Sequence, residues 1–166
     1  MRLTLKRIMN LRITILLPFC FFLCSIAAFA QDNSSVCTQL ETSVRNNAPA
    51  WKLTRKSKSC HWFSYFQWTS GKSRIYAIVY PVASGKAAAD TFQLLASDDE
   101  VLGEKTNSLG TGLRELGDDN RLWTTLSFGA RGVDFRKGNV VVRVSGPTME
   151  LALQFACYIA QGLPAA

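Results

Sequence analysis

The sequence predicts an α+β domain, an antiparallel sheet of about five to seven strands packed with three helices. Apolar residues recur at helical spacing in three separated stretches, near 34–47, 84–96 and 148–161. Aromatic and β-branched runs bounded by glycine and polar turn residues fill the intervals, and several are joined by short turns. Strands therefore follow strands instead of alternating with helices, which disfavours a doubly wound parallel sheet. A chain of 166 residues with 48% hydrophobic and 19% charged residues suits one domain and excludes a disordered or polytopic membrane class.

The first segment is not part of that domain. Arg2, Lys6, Arg7 and Arg12 precede an apolar stretch from Ile13 to Phe29, and Ala28-Phe29-Ala30 stands before the polar Gln31-Asp32-Asn33. This is the plan of a secretory signal with a small-x-small cleavage site. The expected layout is a signal peptide over 1–30 and a single globular α+β domain over 31–166, exported to the periplasm or secreted, with no integral membrane segment after cleavage. An uncleaved anchor is the alternative, and Met9 offers a second start. Loss of the four cations lowers the formal charge from +7 to +3, so the basicity of the whole chain is no argument for a nucleic-acid partner.

Ser34 and Ser35 can cap a first helix with Val36, Cys37, Leu40 and Val44 on one face, stopped by Asn46-Asn47 and Pro49. The basic stretch Trp51 to Ser59 reads as a short edge strand entering a loop. Cys60 to Trp68 and Ser73 to Tyr80 read as a hairpin through a four-residue turn, Thr69-Ser70-Gly71-Lys72. Ser84 caps a second helix to about Ala96, with Ala88, Phe92 and Leu95 inward and Ser97-Asp98-Asp99-Glu100 as an acidic loop at its end. Residues 101–120, broken by Gly103, Gly110, Gly112 and Gly117, read as an irregular connection with at most one strand. Leu122 to Phe128, Val133 to Arg136 and Val140 to Ser145 read as three more strands. Thr148 caps a final helix to about Gln161, with Met149, Ala152, Leu153, Ala156, Ile159, Ala160 and Leu163 on one side.

No motif for catalysis, metal or cofactor survives scrutiny, and none of the three is expected. Gly71-Lys72-Ser73 would need a glycine where Phe66 stands, and Gly110-Thr111-Gly112 would need one at Glu115. His61 is the only histidine, which argues against a histidine metal site. Asp118-Asp119-Asn120 lacks the spacing of a calcium loop and reads as a capped turn. The conceivable acids of an envelope-polymer hydrolase are Asp118, Asp119 and Glu115. Lys52, Arg55, Lys56 and Lys58 suit either a protected sheet edge or an anionic lipid head group, cell-wall polymer or acidic partner. The mature chain keeps Cys37, Cys60 and Cys157, enough for one disulfide and one thiol in an oxidising compartment, with three pairings open.

The predicted hairpin register sets Phe66 opposite Ile75 and Trp68 opposite Ser73 on one apolar face. The other face then carries Tyr65 opposite Tyr76, Gln67 opposite Arg74 and His61 opposite Tyr80. If all three helices cover the first face, His61, Tyr65, Arg74, Tyr76 and Tyr80 form an accessible platform for a sugar ring or a partner protein. If a helix or the 101–120 connection covers it, the same residues are core.

Cys37 on an early helix, the Cys-x-aromatic strand Cys60-His61-Trp62, the turn Leu116-Gly117-Asp118-Asp119 and the hairpin-helix unit from Phe135 to Leu163 together resemble a loose group of uncharacterised exported bacterial domains. The outline is also similar to a PsbP-like α/β/α sandwich. The resemblance implies a Cys37–Cys60 disulfide with Cys157 left as a thiol, and supplies no catalytic residues. The expected function is a small exported binding or accessory module without catalysis of its own, meeting a protein or glycan of the cell envelope. The alternatives are the hydrolase and a homodimer formed through a sheet face or Cys157.

Overall fold

The computed structural model describes residues 33–164 apart from 59, 61, 102–104, 109–115 and 126–129. The segment read as a signal peptide lies outside them. Helix α1 is Asn33–Asn47, followed by strands β1 (Lys52–Lys56), β2 (Ser64–Ser70) and β3 (Ser73–Pro81), and by helix α2 (Gly85–Val101). Strands β4 (Lys105–Ser108), β5 (Asp119–Thr124), β6 (Arg131–Lys137) and β7 (Val140–Gly146) lead to helix α3 (Met149–Gly162). The fold is α+β, a seven-stranded antiparallel sheet in the order β1-β2-β3-β7-β6-β5-β4.

Two meanders make this sheet. The chain runs β1-β2-β3, crosses through α2 to the far edge at β4, and returns strand by strand until β7 pairs with β3. Helices α1 and α3 pack together over one face, where Phe66, Trp68, Ile75, Ala77, Val79, Val133, Phe135, Val142 and Val144 alternate inward as period-two strands require. Phe155 of α3, absent from the predicted apolar side, is buried there with its ring 4.9 Å from Trp51 and 5.8 Å from Trp68. The Cys37–Cys60 disulfide ties α1 to the entry of β2 across 23 residues. Cys157, outside that bond, is half-buried on α3. The unit Asp32–Ala166 is compact by itself, since core, sheet and disulfide all lie within it.

The three helices do not share one face. Helix α2 lies on the opposite side of the sheet, against β4, β6 and β7, and buries Ala88, Phe92 and Leu95 on Val141. Three apolar residues at helical spacing say that a helix has a buried side, but not which face of the sheet receives it. The helix also continues through Ser97-Asp98-Asp99-Glu100 to Val101. Acidic residues late in a helix oppose its dipole only weakly, and no Gly or Pro stands in the way before Gly103.

The hairpin turn has two residues, not four: Ser70 pairs with Ser73 around Gly71-Lys72. Gly71 has a φ of +58°, and no other residue type among those described has positive φ, which is the pattern of a type II′ turn matched to strand twist. The register therefore moves by two, setting Phe66 opposite Ala77, Trp68 opposite Ile75, Gln67 opposite Tyr76 and Tyr65 opposite Ile78. A shift of two leaves every side chain on its predicted face. Strand β2 begins at Ser64, four residues after Cys60, and β5 spans Asp119–Thr124 in place of the predicted 122–128, part of which lies outside the described residues. A fourth strand, β4, occupies part of the connection read as irregular.

Candidate functional site

Because α2 packs on β4, β6 and β7, no helix among the described residues makes an extensive contact with this sheet face over β1, β2 and the Arg74–Ile78 part of β3. Cross-strand rows lay out what stands there: Arg55, Gln67, Tyr76 and Ser145 in one row, Tyr65, Ile78 and Arg143 in the next. Tyr65, Tyr76, Ile78 and Tyr80 are half-buried, while Arg55 and Arg74 are exposed. The Tyr65 and Tyr76 rings lie 6.1 Å apart, and the Phe63 and Tyr80 rings 6.4 Å apart. The Tyr65 hydroxyl donates to Oε1 of Gln67 at 3.2 Å, so the buried amide below fixes the ring's tilt.

The loop before β2 is closed from within. Ser57 N–H donates to the Tyr65 carbonyl at 2.9 Å, and Tyr65 N–H donates to Ser57 Oγ at 2.8 Å. Burial pushes the Tyr65 phenol above its ordinary pKa, and Tyr76 adds to the shift, whereas Arg55 and Arg74 pull against it. Those two guanidinium groups thus share the electrostatic neighbourhood of the tyrosine pair.

Of the five residues assigned to a platform, Tyr65, Tyr76 and Arg74 belong to this open half. Tyr80 is drawn partly to the α2 cluster, packing against it as Val82 does. His61 lies outside the described residues.

Under α2 the same face holds a polar centre that sequence reasoning missed. Asp134 is fully buried and accepts from Arg121 Nε and Nη2 at 3.0 and 2.7 Å, from Arg143 Nε and Nη2 at 2.9 Å each, and from Trp123 Nε1 at 2.9 Å. Arg143 stacks 5.0 Å from the Trp123 ring, and Arg121 lies 5.2 Å from the Phe92 ring of α2. The readable signal was an acid inside an apolar strand run, Val133-Asp134-Phe135, with an arginine on each neighbouring strand. Only the register, Arg121 and Arg143 both opposite Asp134, makes them one cluster.

The acids considered for hydrolysis are not set out as a catalytic pair. Asp118 accepts from Arg136 Nη1 and from Gly138 N–H, both at 2.9 Å, and Asp119 accepts from Arg136 Nε at 2.6 Å. They clamp the β6–β7 turn to the start of β5, which is the capped-turn role; Glu115 lies outside the described residues. Among the described residues no cluster of His, Cys, Asp and Glu is arranged to hold a metal, and no helix is long and apolar enough to cross a membrane. A shallow depression of about 390 Å³ between α1 and α3, lined by Thr38, Thr42, Asn46 and Gln161, carries no charged or nucleophilic group beyond hydroxyls.

No family model matches the chain, and no curated protein matches it. Among solved structures the chain is similar to a crystal structure described as a GTP binding regulator from Thermotoga maritima, at 15% identity and a TM-score of 0.44, over 75% of this chain and 86% of that one. GTP binding is said of that protein, and a likeness of this depth carries no argument about the present chain.

Proposed function

We propose that this chain is an exported binding or accessory module that receives a protein or glycan of the cell envelope on the open β1–β3 half of its second sheet face. One observation carries the reading: α2 stops short of this half, leaving Tyr65 and Tyr76 half-exposed between Arg55 and Arg74. Rigid aromatic rings with a guanidinium rim are the composition of contact surfaces, because tyrosine and arginine add contact area and directed hydrogen bonds at small entropic cost. The signal-like N-terminus and the disulfide support export.

The test is a photo-crosslinking residue placed at Tyr76 or, as a control, at exposed Leu94 on the outer side of α2. Native envelope fraction should yield a defined adduct from position 76 and none from 94. Tyr76→Phe combined with Arg74→Ala should weaken the adduct formed from a photo-crosslinking residue at Arg55 and leave the thermal midpoint nearly unchanged. Equal adducts from positions 76 and 94 would overturn the reading.

A further inference from the structure

The connection into β2 leaves its largest apolar groups in solvent. Cys60 is held to the buried Cys37, and Ser64 is buried as β2 begins, yet between them Trp62 is 86% exposed and Phe63 57% exposed. Among the described residues the only other large hydrophobic side chain so exposed is Leu94, far along the sequence on α2. Two adjacent aromatic residues therefore project from a short connection anchored on one side by the disulfide and on the other by the paired Ser57 and Tyr65.

The stretch of sequence that carries the tip is rich in cations. No Asp or Glu occurs between Glu41 and Asp90, whereas Lys52, Arg55, Lys56, Lys58, Lys72 and Arg74 fall in this span. All six are exposed on the β1–β3 part of the domain: Arg55, Lys56 and Lys58 stand toward the tip's end of β2, Lys52, Lys72 and Arg74 toward the turn at its other end, and Lys56 pairs with Glu41 of α1 at 2.7 Å.

We propose that Trp62 and Phe63, with Lys58 and Arg55 behind them, dock the domain on an anionic lipid surface. An indole is apolar in body and polar at its N–H, which places it at the boundary between head groups and acyl chains, and phenyl rings enter beside it. Lysine and arginine held behind the tip are attracted to the anionic head groups, each strengthening the contact by roughly fivefold. A folded partner or a sugar would be gripped by directional donors and acceptors around the rings. Projection into solvent beside the exposed Lys58 and Arg55 fits a fluid, negatively charged surface better. This contact goes beyond the partner face and does not depend on it.

The experiment uses residues 32–166, the compact unit, with vesicles of phosphatidylglycerol mixed with phosphatidylethanolamine and, in parallel, phosphatidylcholine vesicles. The protein should float with the anionic vesicles only, with a blue shift of tryptophan emission and quenching by brominated acyl chains. Trp62→Ala should remove the shift and the quenching, because the remaining tryptophans are buried or half-buried. Phe63→Ala should weaken binding several-fold, and Lys58→Ala or Arg55→Ala each by roughly fivefold at low salt. Near-ultraviolet circular dichroism should stay unchanged in all four variants. Failure of the wild type to bind the anionic vesicles, or binding indifferent to Trp62→Ala, would overturn the proposal. Capture by an acidic protein or glycan without vesicle binding would overturn it equally. The crosslink at position 76 is read separately, so either reading can fail alone.

Discussion

The indole of Trp123 lies across Gly132 on the neighbouring strand, in the space that a side chain at 132 would occupy. The missing Cβ lets the ring lie flat on the sheet, where its N–H reaches Asp134 and its face meets Arg143. Gly132→Ala should therefore overpack the site and lower unfolding free energy by about 1–3 kcal/mol. Loss of near-ultraviolet tryptophan signal should accompany it, measured with denaturant melts on the same samples.

Asp134 accepts from both Arg121 and Arg143, whose side chains are only 6% and 17% exposed. Asp134→Asn keeps the shape and removes the carboxylate charge that both cations share beneath α2, so a loss of about 3–5 kcal/mol is expected. Asp119→Asn removes a partner of Arg136 from a pair open to solvent and should cost about 1 kcal/mol or less. Urea denaturation of the two variants side by side checks the contrast; equal losses would mean the buried cluster is not the stronger one.

The disulfide joins residues 23 apart, and closing a loop of that length restricts the unfolded chain by about 3 kcal/mol. Reduction, or Cys37→Ser, should lower the denaturant midpoint accordingly while the sheet still forms. Peptide mapping without reductant should recover Cys37 joined to Cys60 and Cys157 alkylatable after unfolding.

Tyr65 titrates above its ordinary value because burial disfavours the phenolate, with Tyr76 adding to the effect. A raised folded pKa means that this group's contribution to stability is complete below the unfolded value of about 10 and is lost as pH climbs through the folded one. Spectrophotometric titration should show a late phenol that is missing in Tyr65→Phe. The wild type should also lose stability more steeply than that variant above pH of about 10.

Much of this molecule is local in origin and was legible from the chain alone. Val36, Cys37, Leu40 and Val44 define the inner side of α1. Ser84 and Thr148 accept from the N–H groups three residues ahead, Ala87 and Leu151, at 3.2 Å each, as their positions before α2 and α3 predict. The hairpin faces were legible for the same reason: a side-chain period of two survives an error of two in register, so Tyr65 and Tyr76 were placed on the correct face although opposite the wrong partners. Tertiary structure alone decided what depends on residues distant in sequence. An apolar helix side fits either face of a sheet, so the position of α2 over β4–β7, and with it the opening at Tyr65 and Tyr76, follows from the crossover to the far edge. Asp134 looked like an ordinary strand residue until pairing brought Arg121 and Arg143 to it, because a buried charge is tolerable only where its counter-charges arrive from other strands.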